Sequence, residues 1–298
     1  MRSILSPLRQ YSAALRVLLV FTAIFGVAYP LAITAIAQVP ALKSRAEGSQ
    51  ISVSGKVVGS TLLGQSFTDA KGSALPQYFQ SRPSAAGAGY DPTSSSASNL
   101  GPESILDVLA DPSVKDDAGK QSLLTQVCSR SLAIGVLDGV SGARPFCTPD
   151  GVGAVLAVFW SGPGYHGSIS RVVSINQAAP ARPFISAYHG VAVQAAKFGA
   201  DYSEGQVVPI RGDAPSDPAV PADAVTASGS GLDSEISPAY ARIQEAVVAR
   251  TRGITVAQVA AVVATYSGGR YLGFMGEATV NVLRLNLALD TAYPYKAK

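Results

Sequence analysis

The sequence predicts an α+β protein: a single N-terminal transmembrane helix, then a mixed α/β extracytoplasmic domain that carries a β-rich insertion. Three observations lead there. A long uncharged apolar run lies near the N-terminus, several short stretches alternate apolar and polar residues at the period of a strand, and two segments near the C-terminus carry helix start and stop residues. The 298 residues are 47% hydrophobic, ample for a core. The net charge is only +3 and no block of Lys or Arg occurs, so the phosphate-neutralising surface of a nucleic-acid binder is missing.

Residues 17 to 37, VLLVFTAIFGVAYPLAITAIA, are uncharged from Val17 to Ala37 and long enough to cross a hydrocarbon core of about 30 Å as a helix. Gly26 and Pro30 are tolerated in such a span. Arg2, Arg9 and Arg16 precede it. The positive-inside rule then places residues 1–16 in the cytoplasm and everything after about residue 40 outside the cell membrane. A cleavable signal peptide is the alternative, since Ala35-Ile36-Ala37 resembles a cleavage site, but the run exceeds the roughly 7–15 apolar residues usual for one.

Residues 40–112 read as the first part of the outer domain. Alternation at 51–53, a Ser54-Gly55 turn and a resumed apolar run at Val57-Val58 predict a β-hairpin. Residues 81–102, dense in Gly, Pro and Ser, read as a long loop, which is either functional or a flexible linker. Residues 113–205 read as an inserted β-rich subdomain. Its apolar runs VLAVFW (155–160) and ISRVVSIN (169–176) flank SGPGYHG as strand, turn, strand.

Residues 206–298 read as the second part of the outer domain. Ser237 suits an N-cap and Pro238 the first helical position, and the helix runs on to Gly253. Thr255 opens a capping box with Gln258, flanked by Ile254 and Val259 as a hydrophobic staple, and predicts a second helix to about Tyr266. Leu283, Leu285, Leu287 and Leu289 alternate with Arg284, Asn286, Ala288 and Asp290, which predicts a half-buried C-terminal strand.

The two cysteines, Cys128 and Cys147, lie in the middle region. An oxidising exterior permits a bridge closing a loop of about 20 residues, worth roughly 3 kcal/mol, and two separate buried thiols are the alternative. His166 and His189 share the region, but gaps of 18 and 22 residues lack the short paired spacings of a zinc site, so no metal is expected. No phosphate-binding P-loop, nucleophile elbow or H-E-x-x-H pair occurs.

One stretch raises a sharper question: VTASGSGLDSEISPAYA, residues 225–241, places Asp233 and Glu235 behind a flexible lead-in. They could serve as a general acid/base pair, as hard-cation ligands, or as part of a turn that feeds the helix after Ser237. No nucleophile accompanies them, and the glycines argue for a loop. The turn, structural or partner-docking, is the favoured reading.

These segments form a pattern. An apolar span, GSTLLGQSF (59–67), YFQSRPSA (78–85), SNLGP (98–102), VTASGSGLD (225–233), ISPAYA (236–241) and LGFMGE…VNVLRLNLALD (272–290), in that order, closely resemble the KdpC family, the small subunit of the Kdp potassium-transporting P-type ATPase. The resemblance covers roughly residues 1–110 and 206–298. It does not reach the middle region, and after Asp233 this chain has Ser234 and Glu235 where the family commonly has Pro and His.

The resemblance implies an accessory, non-catalytic subunit of the potassium uptake complex. Its partners would be the bilayer, a channel-like potassium-translocating subunit and the ATP-hydrolysing subunit. No D-K-T-G phosphorylation motif occurs in this chain. ATP and potassium enter at the level of the complex, with no cofactor bound by this chain itself and no catalytic residue expected. The family's description as a catalytic chaperone that raises the ATPase subunit's affinity for ATP would then require an indirect effect across the membrane. Candidate docking residues on the resembling segments are Arg82, Ser98, Asn99, Asp233, Glu277 and Asn281. The competing expectation is a free-standing, membrane-anchored hydrolase or binding protein with its site in residues 113–205.

Overall fold

The computed structural model describes residues 5–95, 105–270 and 272–296. The candidate docking residues Ser98 and Asn99 lie outside the described residues. The chain divides into two compact units, one ending at Leu62 and one beginning at Leu63.

The first unit opens with helical chain from Leu5 to Ala37: α1 (Leu5–Phe21), a π-helical stretch (Thr22–Ala28) and α2 (Tyr29–Ala37). The π segment ends just before Pro30, whose missing N–H and bulky ring cannot follow the regular ladder, so the wider turn absorbs the mismatch. Residues Arg9–Ala37 form one helix long and apolar enough to cross a membrane, with none of it buried inside the protein. It ends at Ala37. α3 (Pro40–Ala46) follows, then the hairpin of β1 (Gln50–Val53) and β2 (Lys56–Ser60). Ser54 and Gly55 both take positive φ, the pair that a tight two-residue hairpin turn demands.

The second unit begins with an irregular segment, residues 63–95, whose one helical element is a 3-10 turn at Pro92–Ser94. α4 (Leu123–Asp138) starts where the Ser122 hydroxyl accepts from the Thr125 N–H, and stops at Gly139 in the left-handed region. β3 (Val155–Gly162) and β4 (His166–Ala178) match the two apolar runs and form an antiparallel pair. β5 (Ala187–Tyr188), β6 (Val191–Ala196) and β7 (Gln206–Pro209) complete a five-stranded sheet in the order β5-β6-β4-β3-β7, with only β4 and β6 parallel. Apolar side chains cover both faces: Val155, Ala157 and Val173 on one, Leu156, Val158 and Val172 on the other.

The remainder is helical. A short α5 (Ala222–Val225) precedes β8 (Glu235–Ile236), then α6 (Pro238–Arg252) and α7 (Val256–Thr265). Ser237 caps α6, Gly253 ends it, and Thr255 and Gln258 form the reciprocal capping box, all as their residue types require. β9 (Ser267–Gly268) and β10 (Thr279–Asn281) pair with β8 in a small sheet of order β8-β10-β9.

The expected C-terminal strand is instead a helix, α8 (Val282–Ala292), with Asn281 as its N-cap. The alternating leucines concealed a second pattern. Val282, Leu285, Asn286 and Leu289 are buried at the i, i+3, i+4, i+7 spacing of a helix face, and Arg284 points out. That face packs with α6, α7, Phe79 and Val220 into the main core.

Candidate functional site

Three segments that are remote in sequence meet around Arg82. Buried side chains of α6 and α8 first fix the chain leading to it. The Asn286 side chain accepts from the Phe79 N–H at 2.9 Å and donates to the Phe79 carbonyl at 3.0 Å. The Gln244 side chain accepts from the Gln80 N–H at 2.6 Å and donates back to the Gln80 carbonyl at 3.4 Å. Residues 79 and 80 lie in no sheet, yet both backbone donors and both carbonyls are satisfied. Two amides do what a neighbouring strand would do. Beside them the fully buried Arg252 side chain donates to the carbonyls of Gln77 and Tyr293 and pairs with Asp290 at 2.8 Å. It also lies over the Tyr78 ring, whose hydroxyl donates to Asp290.

Past this clamp, Arg82 reaches the turn at 225–233. Its guanidinium donates to the carbonyls of Thr226 and Ala227 at 2.9 and 3.1 Å, and to the Asp233 carboxylate at 3.2 Å. The Ser84 hydroxyl donates to the Gly231 carbonyl at 2.5 Å and accepts from the Ala86 and Tyr90 N–H groups. Tyr90 donates its hydroxyl to the Arg82 carbonyl, and burial pushes its pKa up to about 12. The third segment enters at Gly64, whose N–H donates to the Leu232 carbonyl at 2.8 Å. A Cβ at Gly64 would collide with the Asp233 carbonyl and the Tyr90 ring, so only glycine fits there.

The geometry decides what Asp233 can do. One carboxylate oxygen faces the guanidinium, and the other takes a 3.4 Å contact from the Ser230 hydroxyl. A cation would have to compete with Arg82 for this carboxylate. Glu235 begins β8, where it is exposed and sits opposite Asn281. Asp233 is thus engaged by Arg82 and Ser230, whereas Glu235 lies at an exposed strand position. Among the described residues, no group of three His, Cys, Asp or Glu side chains is placed to hold a metal.

Of the other residues picked from sequence, Asn281 is a helix cap and Glu277 is exposed in the loop between β9 and β10. Cys128 and Cys147 are bridged, with Cα atoms 5.4 Å apart. Sequence reasoning missed Gln244, Asn286, Arg252 and Tyr90. Gln244 and Asn286 did carry a signal, as polar residues on otherwise apolar helix faces.

Among the described residues, two clefts border the middle region. The larger, of about 610 Å³, is lined by the Cys128–Cys147 bridge, Phe184, Ile185, Ile210, Arg144 and Asp213, among others. The smaller, of about 400 Å³, lies between Leu106 and Leu109 and residues 197–203. Neither contains a histidine. A nucleophile with an adjacent imidazole base is thus absent from both.

A model of the KdpC family, described as the K+-transporting ATPase c chain, matches residues 11–113 and 187–291, which include all three converging segments. The chain belongs to the KdpC family. It is 38% identical over 287 residues to the potassium-transporting ATPase KdpC subunit of Kineococcus radiotolerans, covering 96% of each chain. The KdpC subunit of Mycobacterium tuberculosis H37Rv is 33% identical over 282 residues, covering 95% of this chain and 98% of the relative. That of Beijerinckia indica is 34% identical over 277 residues, covering 93% and 91%. The KdpC family model leaves residues 114–186 unmatched, whereas the alignment with the Kineococcus KdpC subunit is too complete to omit them.

Proposed function

We propose that this chain is the accessory subunit of a potassium-transporting ATPase, anchored by its N-terminal helix and acting through an outer domain that hydrolyses nothing itself. The observation that carries this reading is similarity to potassium-transporting ATPase KdpC subunits along nearly the whole chain, 96% of it in one case. Two features support the location. The apolar helix Arg9–Ala37 can span a bilayer, with Arg9 and Arg16 at its N-terminal side. The disulfide belongs to an oxidising, extracytoplasmic compartment.

In this reading the chain joins a channel-like subunit and an ATP-hydrolysing subunit. Arg82 and Asp233 contribute by holding their loops in shape, since each is already engaged by the other. Ser98, Asn99, Glu277 and Asn281 are the further docking candidates. A domain outside the membrane cannot touch cytoplasmic ATP. An effect on ATP affinity therefore acts by biasing a conformational equilibrium of the ATPase subunit, with a coupling on the usual scale of about 1–3 kcal/mol.

The test is topological and biochemical together. A protease site introduced at the exposed residues 212–213 is cut from outside in spheroplasts and protected in inside-out vesicles. The same preparation yields the chain together with a P-type ATPase subunit. Cleavage with the opposite sidedness, or isolation of the chain alone, contradicts the proposal.

A further inference from the structure

Three well-exposed apolar side chains of the outer unit stand together on one loop. Between β9 and β10, Leu272, Phe274 and Met275 are 69%, 72% and 49% exposed. Single exposed apolar residues need no explanation, but three within four positions form a patch. The loop is also shaped at a cost. Gly273 and Gly276 take positive φ, which suits glycine, and Leu272 takes φ +53, which a leucine adopts only under constraint. Its foot is fixed, because β10 is paired on both sides and its last residue, Asn281, caps α8. The apolar tip is held out by a built frame.

We propose that this tip is a docking finger that inserts Phe274, flanked by Leu272 and Met275, into an apolar socket on the extracytoplasmic face of another subunit of the transport complex. The inference rests on the proposed function for the existence of that partner. Three properties single out a protein socket. Phe, Met and a neighbouring Arg, here the exposed Arg270, are the residue types enriched in interface cores. The exposed Glu277 at the foot of the loop pairs favourably with a basic residue of a protein surface and is repelled by anionic headgroups. The tip offers on the order of 350 Å², under half of the about 800 Å² per partner that a free-standing dimer needs. A contact that small suffices for a domain already confined beside its partner by a membrane span, where the effective concentration is high.

The experiment uses the assembled complex in native membranes. Phe274 is replaced by the photoreactive p-benzoylphenylalanine, with the equally exposed Val136 of α4 as the control position. Irradiation is expected to join position 274, and not 136, to another subunit. A Phe274→Ser/Met275→Ser chain is expected to lose at least about tenfold of its co-purifying partner while its unfolding midpoint stays unchanged, since both side chains already face solvent. Crosslinks from 274 to lipid alone, to a second copy of this chain, or to nothing in a complex that still assembles overturn the docking finger. Undiminished co-purification of the Ser/Ser chain overturns it too. If the unaltered chain co-purifies with no ATPase subunit, the proposed function fails, and the finger with it.

Discussion

Replacing Asn286 with alanine removes both hydrogen bonds that hold the Phe79 peptide groups, and the magnitude follows from the burial. Asn286 is 1% and Phe79 0% exposed, so water cannot take over the lost bonds. Leaving one buried N–H and one buried carbonyl unpaired costs about 1–3 kcal/mol each, or roughly 2–6 kcal/mol for the pair. A domain with about 5–15 kcal/mol of stability loses a large share of it. The assay is thermal or denaturant unfolding of the full chain in detergent, where a drop in midpoint of roughly 5–15 °C is expected for a unit of this size. Gln244→Ala should behave similarly by releasing the Gln80 peptide. Because the two amides clamp adjacent residues of one segment, the double variant should cost less than the two single losses added. A loss below about 1 kcal/mol for Asn286→Ala, or strict additivity, would refute the claim that these amides substitute for a strand.

Two further predictions follow from single positions. Asp138 ends α4, is 8% exposed, and has one carboxylate oxygen with no hydrogen-bond partner; burial pushes its pKa from the ordinary 3.8 up to about 7. The folded state therefore holds this proton more tightly than the unfolded chain, so stability falls as pH rises from about 4 to 7 and this contribution is then constant. Linkage sets the total at no more than about 4 kcal/mol, and Asp138→Asn should flatten the curve of midpoint against pH across that window. An unchanged slope counts against a buried neutral Asp138. Gly64→Ala should disrupt the contact between the first segment and the turn at 225–233, seen as faster proteolysis of residues 225–233 and a destabilisation of about 1–3 kcal/mol by overpacking. Protection equal to that of the unaltered chain would show that the segments are not so closely packed.

The elements governed by neighbouring residues were legible in the sequence. The hairpin turn at Ser54-Gly55, the Ser237 cap, the Thr255 capping box and the strands at 155–160 and 169–176 each depend on residues within a few positions. The α8 segment fits both periods, because leucine at every second position satisfies a period of two while Val282, Leu285, Asn286 and Leu289 satisfy 3.6, and the N-cap at Asn281 decides for the helix. The site was legible in part. The segments around Arg82 and Asp233 could be picked out, but not their meeting across 151 residues of chain. Nor could spacing show that Gln244 and Asn286 sit at core positions to hold a strand-like segment that has no strand beside it. Such long-range pairings are set by packing rather than by local pattern.

If, as proposed, this chain enables transport without performing catalysis, its omission and add-back will reveal it. The proposed channel-like and ATP-hydrolysing partners, purified without this chain, are assayed for potassium-stimulated ATP hydrolysis, and the full chain is then restored. Stimulation is expected to be lost without the chain and to return with it, while the residue of the proposed ATPase partner that takes the phosphoryl group is present throughout. Full potassium-stimulated hydrolysis and transport by the pair alone would contradict it.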